Sequence, residues 1–293
     1  MPRSAIVGSE LLMIQEMVYT SAPKGLKPGS SGFCTVAATQ GMSPALIDRL
    51  ELLSSYQPLA AATSREPSRS PVQFAHWRVS TAGRTRSVLS RVAINGLDYT
   101  RRPNKIAYHL VLDPAELPEY GPAWTMAQPG VMVEKWVDPA RSLGPRKLAL
   151  TASLPGAAVS CHRWGIVTGD QGWAGIMGEA FMLDPTRPAH LICLPETDPL
   201  PLLDEAIRLL PPRARWQVTF NTYFSELPAG LTCVWRCVTA GTRAASEAAR
   251  AGGLTIDLTH PIGPAPDTPG AVAARQGRPV PPPEAPASSA GPQ

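Results

Sequence analysis

The sequence predicts an α+β fold. An N-terminal antiparallel sheet with a packed helix is followed by a strand–helix–strand and hairpin half, and then by a disordered Pro-rich C-terminal tail. Three observations carry this expectation. Runs of β-branched and aromatic residues alternate with turn signals from Ile14 to Leu112. Helical stripes start at capping residues Ser43, Asp170 and Asp198. From Pro261 the chain is Pro, Ala and Gly with almost no bulky apolar residue, so it cannot bury enough surface to offset its ordering entropy.

Residues 1–12 read as a loose N-terminal extension, with Met13 as an alternative start. Ile14–Thr20 and Phe33–Thr39 read as antiparallel strands around a loop of Gly, Pro, Ser and Lys. Ser43 suits an N-cap, because its hydroxyl can accept from the free N–H groups of the first turn, and Pro44 suits N1. Ile47, Leu50 and Leu53 then repeat at helical spacing. Ala60–Ser70 reads as a mobile loop. Val72–Val79 and Thr85–Val92 form a hairpin around Ala82-Gly83, Asn95-Gly96 signals another turn, and Ile106–Leu112 a buried strand. Pro114–Pro145 lacks a pattern and bridges two halves that divide near residue 137.

In the second half Asp170 caps a helix over Gln171–Leu183, and Ala189–Leu194 is a short strand. A helix after Asp198-Pro199 carries Leu200, Leu203, Ile207 and Leu210 on one stripe, with Asp204, Glu205 and Arg208 outside. Trp216–Phe224 and Leu231–Val238 read as a hairpin through Leu227–Gly230. A helix over Thr242–Ala251 and a strand over Leu254–Leu258 complete the core region, 13–260. The tail, 261–293, is expected to be removable without change in melting temperature.

A length of 293 residues allows one large domain or two small ones. The net charge of +4 makes no case for nucleic acid or a membrane surface, and no run approaches the roughly 18 apolar residues of a membrane span. Five scattered cysteines suggest reduced thiols in a cytoplasmic protein.

Six stretches together resemble a known family: the loop and strand from Met13, Asp98-Tyr99-Thr100, Asn104–His109, Gly169–Gly175, Arg215–Phe224 and Cys233–Arg236. The chain from Met13 to about Val238 is similar to the N-terminal domain, type two, of bacterial GTPase-associated proteins. That resemblance implies a module acting beside a GTPase, or another protein encoded nearby, in a bacterial conflict or signalling system. It brings no catalytic residues and no cofactor with it. Relatives usually carry further domains, so an ending in such a tail favours an adaptor over an effector.

Candidate sites are few. Lys24, Lys27, Ser30 and Ser31 lie in a glycine-rich loop whose N–H groups could cradle an anion, although the G-x-x-x-x-G-K-[ST] order is missing. Arg84, Arg86, Arg91, Arg101 and Arg102 form a basic run suited to docking an acidic partner. Asp170 would repel an anion at the Gly169–Gly175 helix start. Cys161, His162, Cys193, Cys233 and Cys237 lack the spacing of a zinc knuckle, so no metal is expected. The reading is a non-catalytic interaction module. The alternative is an enzyme: a nucleotide-phosphate hydrolase using the Lys24–Gly32 loop, or a thiol hydrolase using Cys34 with His109.

Overall fold

The structure, a computed structural model, describes residues 9–59, 70–151 and 159–283. Most of the loop expected at Ala60–Ser70 therefore lies outside the described residues. The first half contains β1 (Ser9–Ala22), β2 (Gly32–Thr39), α1 (Pro44–Leu53), β3 (Gln73–Thr81), β4 (Arg84–Leu97) and β5 (Pro103–Leu112). It continues with α2 (Pro122–Ala127), β6 (Arg141–Leu143) and β7 (Arg146–Thr151). Local chemistry explains these boundaries. Ser43 Oγ accepts the N–H of Leu46, and Pro44 opens α1. Ala82 and Gly83 both have positive φ, 49° and 76°, the geometry of a tight hairpin whose twist matches its strands.

Two expectations change in this half. Asn95-Gly96 is a bulge inside β4, where the register with β5 slips between Ile94 and Leu97. The turn comes two residues later because Asp98 Oδ1 accepts from the N–H groups of Thr100 and Arg102 at 2.8 and 2.9 Å. Residues 9–12 belong to β1, which pairs with β7 over Ser9–Ile14, with β5 over Gln15–Thr20 and with β2 over Met17–Ala22. Arg146 ties these strands together through Glu16, at 3.4 Å, and Tyr108, at 2.5 Å.

The second half contains α3 (His162–Thr168), α4 (Gly172–Leu183), β8 (Ala189–Cys193), α5 (Leu200–Arg208), α6 (Pro212–Arg215) and β9 (Phe220–Asn221). After it come β10 (Trp235–Thr239), α7 (Arg243–Ala248), β11 (Leu254–Asp257) and α8 (Pro269–Arg275). The strands of both halves form one sheet in the order β11-β8-β10-β9-β3-β4-β5-β1-β2-β6, with β7 beside β1. β8, β10, β9 and β11 run parallel, whereas β9 meets β3 antiparallel. β9 is thus the seam between a parallel and an antiparallel region.

The expected hairpin of Trp216–Phe224 with Leu231–Val238 is not formed. β10 inserts between β8 and β9 and runs parallel to both. Trp216 closes α6 instead of starting a strand. A short buried strand carries no record of its direction, because inward-facing apolar residues satisfy either orientation. Glu205 is not outside its helix either. It is buried, and its carboxylate accepts the N–H groups of Arg163 and Trp164, capping α3.

The main core lies between the sheet and α2–α5, and includes Trp124, Trp164, Phe181, Leu203 and Trp235. On the other face α1 covers the antiparallel region with Leu46, Leu50 and Leu53 against Trp77 and Val88. There α7 covers Val238 in the parallel region. The two helices leave a gap over the seam.

The tail expectation fails for residues 261–283; the remainder lies outside the described residues. α8 packs on α4, and an added Cβ at Gly175 would sit 1.9 Å from the carbonyl oxygen of Gly270. Asp170 joins them: its carboxylate accepts from the N–H groups of Gly172 and Ala265, each at 2.8 Å, and pairs with Arg275 at 2.6 Å. The Arg275 hydrogen bond is the main reason the Asp170 carboxyl is held down at about 2. Backbone contact through small residues supplies the packing that the composition of the segment had seemed to exclude.

Candidate functional site

The glycine-rich loop is closed on itself. The N–H groups of Gly25, Leu26 and Ser30 donate to the carbonyls of Ser30, Thr35 and Lys27. Ser30 Oγ donates to the Lys27 carbonyl at 2.7 Å, while Lys27 Nζ binds Asp48 at 3.0 Å. Lys24 and Ser31 are exposed on its rim. Three amides that an anion would need are therefore committed to the loop, and Lys27 faces acids.

The five arginines do not share a surface. Arg84 and Arg86 sit at the β3–β4 hairpin, paired with Asp113 at 3.5 and 2.9 Å. Arg91 is buried in the middle of β4. Arg101 and Arg102 are exposed on the turn at the far end of β4, roughly 40 Å from Arg84 at the ordinary rise per strand residue. That far end also exposes Phe33, Leu97 and Tyr99, with Lys105 Nζ over the Phe33 ring at 5.3 Å.

Residues suited to catalysis are held by the fold. Cys34 lies on β2 opposite Thr20, and His109 on β5 opposite Met17, so they are two strands and three residues apart. His109 is buried between Ser54 and Ser90, at 2.9 and 2.8 Å, and burial pushes its imidazole down to about 3. Burial likewise holds His76 at about 4, and it contacts Ser87 and the Val218 carbonyl. Burial raises the thiols of Cys34, Cys161, Cys233 and Cys237, which disfavours the thiolate. Among the described residues no three His, Cys, Asp or Glu side chains converge as a metal site. No described helix is long and apolar enough to cross a membrane.

A concave feature lies where α1 and α7 leave the seam uncovered. Two chambers occur there, of about 560 and about 260 Å³, and both are lined by Ser225 and Glu226. The larger is at the carboxyl ends of β9 and β10, the usual place for a ligand in a sheet with parallel strands. Its wall is tied across the seam by Tyr223, whose hydroxyl donates to the Gln57 carbonyl at 2.9 Å. Arg236 lies over the Phe224 ring at 4.8 Å and donates to the Cys233 carbonyl, and Arg243 pairs with Glu247 at 2.6 Å. The smaller chamber is lined by Gln73 and Trp77 of β3, Asn221 of β9 and Arg49 of α1, over Leu53 and Leu231.

None of Gln73, Trp77 and Asn221 lies in a catalytic, anion-binding or metal motif of the sequence. One signal was available: Gln73, Ala75 and Trp77 share a strand face, and an inward Gln among apolar neighbours is unusual.

The sheet and its cleft define an α+β protein in which a mostly antiparallel half, with β6 parallel to β2 at its edge, and a parallel half share one continuous sheet. The chain belongs to the GTPase-associated protein 1 family: residues 13–147 match its N-terminal domain type 2, and residues 161–260 its middle domain. The first three resembling stretches fall in the first match and the last three in the second. No curated protein and no solved structure is significantly similar to the chain.

Proposed function

We propose that the chain is a non-catalytic interaction or regulatory module that acts with a GTPase in the cytoplasm, within a bacterial conflict or signalling system. The observation that carries this is the match to two domains of a family described as GTPase-associated. The geometry supports it: the loop amides, the histidines and the buried thiols that an enzyme would use are engaged in holding the fold. The surface best suited to the partner is the end of β4 with exposed Arg101, Arg102, Leu97 and Tyr99, since arginines beside exposed apolar side chains are typical of interface centres. The other three arginines are paired or buried and add little to docking.

The test mixes the purified chain with the GTPase encoded beside it. Association should weaken with salt, and Arg101→Glu with Arg102→Glu should slow it more than it speeds dissociation. The chain alone should not turn over GTP with magnesium, because hydrolysis needs a phosphate cradle, a metal ligand and a group to place water. Turnover by the chain alone, abolished by Lys27→Ala, would replace this reading with the hydrolase.

A further inference from the structure

The smaller chamber collects three polar side chains that the protein leaves incompletely bonded. Trp77 is buried, and its indole N–H meets no acceptor. Gln73 lies four residues earlier on the same face of β3 and lines the chamber, and no described residue hydrogen-bonds to its carboxamide. Asn221 Oδ1 accepts the N–H of Tyr223 at 2.8 Å, which leaves the two amide hydrogens of Asn221 unclaimed. A buried indole N–H is normally paired, so the Trp77 exception, beside two amides with unclaimed hydrogen-bonding capacity on the same chamber, marks a place where another molecule supplies the partners.

The chemistry of that molecule follows from the groups. An indole N–H requires an acceptor, the Asn221 amide offers donors, and the Gln73 amide offers both. Leu52, Leu53, Pro228 and Leu231 add apolar wall. Arg49, whose guanidinium already donates to the Ala229 carbonyl, also lines the chamber, and Ser225 and Glu226 stand on the side toward the larger one. A planar heterocycle with carbonyl or ring-nitrogen acceptors beside an N–H donor satisfies all three, and that is the edge of a nucleobase. At about 260 Å³ the chamber is at the small end for ligand pockets and suits one base. It adjoins, across Ser225 and Glu226, the larger chamber where a ribose or phosphate would lie near Arg236. Glu226 and Glu247 interrupt the arginines there, so the cleft is no basic track for a polynucleotide.

We propose that the chamber formed by Gln73, Trp77 and Asn221 binds the base of a free nucleoside or nucleotide. The site stands apart from the GTPase contact and holds or fails with the purified chain alone.

The experiment is calorimetric titration of the full chain with adenosine, guanosine, cytidine, uridine and their 5′-monophosphates. At least one should bind with a Kd below about 1 mM. Gln73→Leu should weaken that binding about tenfold, the effect of losing roughly one well-made hydrogen bond. Asn221→Asp, which keeps the acceptor for Tyr223, and Trp77→Phe should do the same. The melting temperature of Gln73→Leu should be unchanged or higher, because the substitution breaks no hydrogen bond within the fold. Absence of heat with every probe would mean that the chamber holds water only and overturns the proposal. So would equal affinity of wild type and Gln73→Leu. A lower melting temperature for Gln73→Leu would also overturn it, by showing the amide already satisfied within the fold.

Discussion

Replacing Gly175 by Ala tests whether the end of the described chain is part of the folded core. The new Cβ would lie 1.9 Å from the carbonyl oxygen of Gly270 and 2.4 Å from its carbon, whereas such C···O contacts normally begin at about 3.3 Å. A gap of about 1.4 Å must open against backbone, not against a flexible side chain. If α8 moves in place, overpacking costs about 1–3 kcal/mol. If it detaches, the methyl groups of Ala271, Ala273 and Ala274 and the side chain of Val280 lose their burial. At about 0.8 kcal/mol per methyl and about 2 for valine, that is about 4 kcal/mol. Loss of the partly buried Asp170–Arg275 pair would add to this. A loss of about 2–4 kcal/mol should lower the melting temperature by about 5–15 °C for a chain of this size. Truncation after His260 should lower it similarly. In the truncated chain the sign should invert: with α8 gone, Gly175→Ala only improves a helix interior and should stabilise by about 0.5–1 kcal/mol. If Gly175→Ala and the truncation both left the melting temperature unchanged, α8 would not be docked on α4 in solution.

Acidification should destabilise the fold. His76 and His109 have folded pKa values of about 4 and about 3, below the unfolded 6.5, so their contribution is complete above about 6.5 and is lost as pH falls toward the folded values. Asp204, raised by burial to about 6, opposes this over the same window, because its folded form takes up a proton first. The net loss between pH 7 and pH 5 should be about 2–3 kcal/mol; equal stability by urea unfolding at the two values would show that the imidazoles are not neutral in the core. Trp235→Ala removes a fully buried indole packed edge-on to Phe181 and should cost about 3–5 kcal/mol in the same assay, with a smaller loss pointing to a collapsible site. In the partner assay Arg84→Glu should leave the association rate near wild type, in contrast to Arg101→Glu, because Arg84 is at the opposite end of β4 and already paired; the reverse order would move the docking surface to the hairpin.

What the sequence by itself determined is local. Ser43 and Pro44 start α1, Ala82-Gly83 turns β3 into β4, and Thr242 caps α7, because each depends on groups within four residues. Apolar periodicity also identified the buried stripe of α5, Leu200, Leu203 and Ile207. The tertiary structure decided whatever depends on a distant partner. The direction of β10 follows from its place between β8 and β9, and either direction would have buried Trp235 and Cys237 equally well. Glu205 reads as exposed until α3 brings its N–H groups over the carboxylate. The segment around α8 has too few large side chains to fold alone, yet glycines on both helices let its backbone touch α4, a contact that no composition reveals. The cleft is the clearest case. Gln73 and Trp77 lie about 150 residues before Asn221, and only the meeting of β3 with β9 at the seam faces their unpaired groups into one chamber.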